Sequence, residues 1–303
     1  QEAANDALSG AQVDGTRRAR EDVRDVGQVV PFVRPIEPSV TTGVRFLSVR
    51  FDPIVMERAM RDVSMRASAQ RSFVYVVTPN VDHRVRLEHE PHLHALYENA
   101  WMSLCDSRIL SLMAHIDGVK LPATPGADLV ERLFEKDINP DEAINVIGSR
   151  PEVIRRLAAR YGLKKVRHHQ APMDLRDNSE AINAAAAFAA DNPARYTFIC
   201  VGSPQQELVA QRILRRGDAT GVGLCCGASL EFLTGIVPRA PHWMRNMALE
   251  WLHRLMIDPA RMSHRYLVAG PAIFPIWVSS HRTADTDSDG GGAVAPIGVH
   301  PAA

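Results

Sequence analysis

The chain predicts an α/β fold: a mostly parallel sheet with helices on both faces, followed by a C-terminal helical appendage. Three observations carry that reading. Short, β-rich apolar runs recur along the chain, helical patterns fill most of the gaps between them, and a basic amphipathic segment follows a proline-marked break. Strands that are apolar throughout, separated by amphipathic helices, bury both faces of a parallel sheet.

The apolar runs are Val44 to Val49, Phe73 to Val77, Trp101 to Cys105, Ile144 to Ile147, Phe198 to Val201 and Val222 to Cys226. Residues 1–38 mix small, charged and polar side chains without period, and 282–303 are rich in Gly, Ala, Asp and Pro, so both ends read as disordered. The α/β core then spans 39–241 and the appendage 242–281. Pro238-Arg239-Ala240-Pro241 blocks regular structure, after which a helical pattern resumes from Trp243 to Ile257.

A chain of 303 residues can bury one sizeable core. Lys+Arg and Asp+Glu both total 35, which argues against coating nucleic acid. Cys105, Cys200, Cys225 and Cys226 end strand-like runs without CxxC spacing and read as buried, reduced, cytosolic thiols. The longest uncharged run, Tyr266 to Ser280, contains Pro271 and Pro275 and falls short of the roughly 20 apolar residues of a spanning helix. It can still lie on a membrane surface.

Ligands of such sheets collect beyond the carboxyl ends of the strands. At the first end stand Thr78-Pro79-Asn80; Asn80 reads either as a helix N-cap or, with Thr78, as a polar group offered to a ligand. Asp106 leaves the next strand, where partial desolvation raises a carboxylate's pKa and makes it a better base; the plain alternative is a cap for a helix starting at Ser107. Thr124-Pro125-Gly126-Ala127-Asp128 opens a helix with Asp128 in its first turn. Ile147 to Glu152 ends a strand with Ser149 and Glu152 at capping-box spacing, and its turn with Gly148 and Arg150 can receive a diphosphate. Gly202-Ser203-Pro204-Gln205-Gln206-Glu207 offers a second capping box, Ser203 with Gln206, and Pro204 at the first helical position; capping requires neither Gly202 nor Glu207.

Three patterns carry less. Gly221-x-Gly223 with Gly227 enters a strand instead of following one, so it is weak evidence for a dinucleotide fold. Asp285-x-Asp287-x-Asp289-Gly290 imitates a calcium loop but lacks the late glutamate and lies in the Gly-rich tail. His168-His169 has no partner spacing for a metal and reads as an exposed strand end or turn.

These segments, with Gly227 to Arg261, resemble the WecG/TagA/CpsF glycosyltransferases from about Thr78 to Arg265. The TPN element, the GxPxQE element of Gly202 to Glu207 and the Glu250-Trp251 to Arg254 helix carry the likeness. It implies a Rossmann-like core and an inverting transfer of a hexose-type sugar from a UDP-sugar to an undecaprenyl-diphosphate-linked saccharide. No metal and no cofactor enter that picture. The resemblance makes Asp106 the catalytic base, with Thr78, Asn80, Arg254 and Arg261 in the catalytic set. It assigns Gly148, Ser149, Arg150, Gly202, Pro204, Gln206, Glu207 and Glu231 to the donor nucleotide, and Asp128, Arg239 and Arg265 to the substrate pocket. It also implies a cytoplasmic protein held peripherally at the inner face of the cell membrane; Trp243 to Ile257 suits either lipid or a homo-oligomer contact. The sequence departs from the family at Ser107, Pro125 and Glu231, where glycine, no insertion and aspartate are usual. A Rossmann-like oxidoreductase and a non-catalytic UDP-sugar-binding protein remain the alternatives.

Overall fold

The computed structural model describes residues 43–172, 175–241, 243–244, 247, 249–263, 267 and 270–288. Its centre is a sheet of six strands: β3 (Val74–Val77), β4 (Met102–Ser103), β5 (Ala143–Gly148), β6 (Lys165–His169), β7 (Tyr196–Cys200) and β8 (Val222–Cys225). They lie in the order β4-β3-β8-β7-β5-β6 with every neighbouring pair parallel. The expected α/β fold is therefore present.

The first predicted run behaves differently. Val44 to Val49 is not one strand of this sheet but part of a separate antiparallel hairpin, β1 (Val44–Phe46) and β2 (Val49–Phe51). Leu47 and Ser48 both adopt positive φ, 49° and 62°, the geometry that reverses a chain in two residues. The apolar pattern passed over β6, because Lys-Val-Arg-His-His at a sheet edge lacks an apolar run; only the reading of His168-His169 as a strand end or turn pointed to it. His168 and His169 are the half-buried end of this edge strand.

Alternation along the strands sorts the core into two layers. Tyr75, Val77, Ile147, Ile199 and Cys225 point to one face, where helices α2 (Val81–His89), α4 (Arg108–Ile116), α7 (Ser179–Asp191) and α8 (Gln205–Arg216) cover them. Val74, Val76, Val146, Phe198 and Leu224 point to the other, against α1 (Met56–Arg66), α5 (Gly126–Lys136), α6 (Pro151–Tyr161) and α9 (Ser229–Leu233). The short helix α3 (His94–Glu98) completes the first layer with Leu96 and Tyr97. Each buried Val, Leu, Ile or Phe contributes about 1.5–3 kcal/mol, so both faces resist exposure and the sheet becomes a rigid platform for whatever extends beyond its strands.

Gly221 leads into β8 with φ 87°, as its place before the strand suggested. A Cβ there would overlap the Ala194 carbonyl oxygen and stand 2.7 Å from that of Arg195. Gly221→Ala is accordingly expected to destabilise the fold by about 2 kcal/mol, read as a lower urea midpoint at unchanged slope.

All four cysteines are free; Cys105, Cys200 and Cys225 are buried as expected, whereas Cys226 is only half-buried. After Pro238–Pro241, which is irregular as predicted, the helix expected from Trp243 to Ile257 is interrupted: Trp243 and Met244 are helical, but Met247 and Leu249 are not. The helix α10 occupies only Glu250–Ile257, with Leu249 at its N-cap. The Leu249 amide reaches back five residues to the Met244 carbonyl at 2.8 Å, a wider closure than a helical turn, and the helix begins after it. Next come α11 (Pro259–Ser263) and α12 (Ile273–Ser288). Buried Ile273 anchors α12, and its Trp277 indole donates to Asp117 at 2.7 Å. No described helix is long and apolar enough to cross a membrane. Because α12 continues to Ser288, the tail expected from 282 is helical in its first seven residues, Asp285 and Asp287 included. The N-terminal extension 1–38 and the remainder of the tail, with Asp289, lie outside the described residues.

Candidate functional site

A cavity of about 380 Å³ opens beyond the carboxyl ends of β3 and β4, walled on its far side by the appendage. Backbone hydrogen bonds prolong the strand pairing to its floor: Leu104 donates to Val77 at 2.9 Å and Asp106 to Pro79 at 3.0 Å. Asp106 thus projects from the last paired residue of a buried strand. It does not cap the following helix. Ser107 does, its Oγ accepting from the Leu110 amide at 3.1 Å, which leaves the Asp106 carboxyl to the cavity. The departure from glycine at 107 therefore has a structural use.

Asp106 is half-buried, and its pKa rises from 3.8 to about 7. Desolvation is the largest cause; Glu250 and Asp128 add to it, and Arg254 and Arg239 oppose it. A group balanced near neutrality at the floor of a cavity is suited to taking and releasing a proton.

The cations around it are held by carboxylates. Arg254 of α10 donates to Glu250 one turn earlier at 2.6 Å and lies over the Phe232 ring of α9, 5.0 Å from its centroid. Arg239, from the proline-marked break, is not at the cavity wall; it clasps Asp128 and, at 3.1 Å, Glu131 on α5. Asp128 and Arg239, both assigned to the substrate pocket from the sequence, are thus brought together as an ion pair tying the proline-marked break to α5. Asn80 lines the cavity but also caps α2, accepting from the amides of Asp82 and His83, while the His83 ring accepts from its own amide. Thr78 lies deeper. A Cβ on Gly126 would stand 2.8 Å from its Oγ1, so the TPN and TPGAD segments require glycine where they meet.

Sequence reasoning assigned no role to Glu250 or Trp251, although both line the cavity with Ile273 and Phe274 of α12. The four-residue spacing of Glu250 and Arg254 was the available signal. Nothing local foretold α12.

The segments assigned to the nucleotide gather beyond β5, β7 and β8. Gly148 and Ser149 are both left-handed, φ 82° and 62°, and they turn the chain so that Arg150, not Ser149, precedes α6. The predicted Ser149–Glu152 capping box is absent: the Ser149 hydroxyl donates to Glu231 at 3.2 Å, and Glu152 pairs with Arg156. Arg150 is exposed at the helix start.

The second predicted box fails in the same way. Pro204 is the N-cap of α8 without a side-chain cap, and Ser203 accepts from Arg86 at 2.8 Å. Gln206, 5% exposed, accepts from the Gly227 amide at 2.8 Å and donates to Glu207 at 2.8 Å. Glu207 is fully buried, and burial raises its pKa. Gln206 therefore braces the loop after β8, with Glu207 behind it, while Gly202 and Gly227 take φ 76° and 51°. Glu231 lies beside Phe232, so the Arg254 guanidinium joins the two regions.

Arg261 sits on α11, and Arg265 lies outside the described residues. Among the described residues no group of three or more His, Cys, Asp or Glu is arranged to hold a metal ion. A model of the glycosyl transferase WecG/TagA/CpsF family matches residues 44–286.

Proposed function

The chain belongs to the glycosyl transferase WecG/TagA/CpsF family, and from that premise we propose that it moves a hexose-type sugar from a UDP-sugar to a hydroxyl of an undecaprenyl-diphosphate-linked saccharide. The single observation that carries the mechanism is the desolvated Asp106 carboxyl on the cavity floor, poised near neutrality. Asp106 takes the proton of the acceptor hydroxyl as that oxygen attacks the anomeric carbon from the side opposite UDP. The bond to UDP breaks as the new one forms, so the centre inverts.

Charge on the departing diphosphate is met without a metal by backbone amides of the left-handed turns at Gly148 and Gly202 and by Arg254. Arg254 suits this role because it stands at the cavity wall and over Phe232, beside the residue that contacts Ser149. Gln206 and Glu207 act as positioning residues for the Gly227 loop. Exposed Trp243, Met247 and Met256, at 59%, 64% and 62%, give the appendage an apolar surface for the membrane that carries the acceptor. That surface supports a peripheral position at the inner face of the cell membrane.

The test is a panel of UDP-sugars with lipid-diphosphate acceptors, followed by UDP release and product mass. Transfer with inversion for at least one pair is expected. UDP binding with no product from any pair would support a binding protein instead, and tight NAD(P) binding without UDP binding would support an oxidoreductase.

A further inference from the structure

We propose that Cys200 and Cys226 form an oxidisable dithiol, which hydrogen peroxide converts to a disulfide that reshapes the turns at Gly148 and Gly202. The two sulfurs stand 3.4 Å apart. Cys200 ends β7 and pairs with Gly148 of β5 on one side, while Ile199 pairs with Cys225 of β8 on the other. The Cys226 amide donates to the Ile199 carbonyl at 3.1 Å, so the ladder runs on and sets Cys226 beside Cys200. Neighbouring strands lie about 4.8 Å apart, inside the roughly 4.4–6.8 Å that the Cα atoms of a disulfide span. Both side chains belong to the layer of Val146 and Phe198, whereas Cys225 belongs to the opposite one. An S–S bond of about 2.05 Å therefore asks the two sulfurs to close by about 1.4 Å.

The two thiols differ in exposure, which divides their roles. Cys226 is half-buried and meets the oxidant; Cys200 is 8% exposed. Contact with Cys226 and burial push the Cys200 thiol's pKa up, so it waits protonated. The Cys226 sulfur takes one peroxide oxygen as the O–O bond breaks, leaving a sulfenic acid and one water. The Cys200 sulfur then attacks that of Cys226, the S–O bond breaks, and the hydroxyl leaves with the Cys200 proton as a second water. Two thiols are oxidised and one peroxide is reduced.

Tight packing carries the change to the turns. A Cβ on Gly148 would stand 2.9 Å from the Cys200 carbonyl oxygen, and Gly202 follows Cys200 by two residues. On the other side the Cys226 carbonyl accepts from the Ser229 hydroxyl at 2.5 Å, and Gln206 holds the Gly227 amide. A sulfur drawn across this row shifts the backbone that, on the function proposed above, meets the diphosphate, so oxidation should weaken UDP binding.

The full chain is treated with hydrogen peroxide, its free thiols are blocked with N-ethylmaleimide, and the unreduced digest is read by mass spectrometry, fragment ions placing the link. A Cys200–Cys226 link is expected in the native chain and in Cys225→Ala, and none in Cys226→Ser. In the ¹⁵N-labelled native chain the Gly148 and Gly202 amide resonances should move on oxidation and return with dithiothreitol. UDP should bind about tenfold more weakly to the oxidised form, with no such loss in Cys226→Ser. A vicinal Cys225–Cys226 link, or a Cys226 sulfinic acid beside a free Cys200, overturns the proposal. So do resonances that stay in place, or UDP binding that the bridge leaves unchanged. A bridge that moves both resonances in a chain that binds no UDP even when reduced would count against the nucleotide reading and leave this inference standing.

Discussion

Asp106→Asn is expected to lower kcat for glycosyl transfer by about 10²–10⁴-fold, the range a positioned general base supplies, while UDP still binds. Asparagine keeps the shape of the carboxyl and its capacity to accept a hydrogen bond, so the variant removes only the ability to take a proton. A protein that merely binds UDP-sugars would be indifferent to the change. Steady-state rates set beside the dissociation constant of UDP separate the two.

The same carboxyl fixes a pH dependence. The base must be ionised, so the rate should climb as pH rises through about 7. Glu250→Gln removes a like charge and is expected to move that climb to lower pH. Stability runs the opposite way: with the folded pKa above the unfolded one, stability is greatest below the unfolded value and falls as pH rises through about 7. Asp106→Asn is therefore expected to be more stable than the native chain at pH 8, by up to roughly 4 kcal/mol, since each tenfold change in proton affinity is worth about 1.4 kcal/mol. Urea midpoints at pH 4 and pH 8 measure this, and an equal midpoint difference at both would mean that Asp106 is not desolvated.

The sheet was legible because five of its six strands are buried on both faces and lie in largely apolar runs. The edge strand β6 was not, because an edge tolerates Lys165 and Arg167 where a central strand would not. Asp106 and Asn80 were legible from their places at strand ends. The failed capping boxes show the limit of spacing: Ser149 and Gln206 satisfy the motif, yet each is drawn to a partner distant in sequence, Glu231 and Gly227. Positive φ at Gly148 and Ser149 had already displaced the helix start by one residue. Arg239 reached Asp128 across 111 residues, a pairing that no local pattern encodes.

Arg254→Ala is expected to reduce kcat by about 10²–10³-fold, the usual effect of removing one donor aimed at developing charge. The guanidinium touches both halves of the site, so two losses must be separated: charge on the diphosphate and the pairing of Glu250. The second alone would leave Glu250 unpaired beside Asp106 and push the pH-dependent climb upward without a large change in the plateau. Adding Glu250→Gln to Arg254→Ala should return the climb towards its native position yet leave the plateau rate low. Arg254→Lys, which keeps the charge but loses the paired donors, should fall between. A plateau restored in the double variant would mean that Arg254 serves only to hold Glu250, and leaving-group stabilisation would then rest with the backbone turns at Gly148 and Gly202.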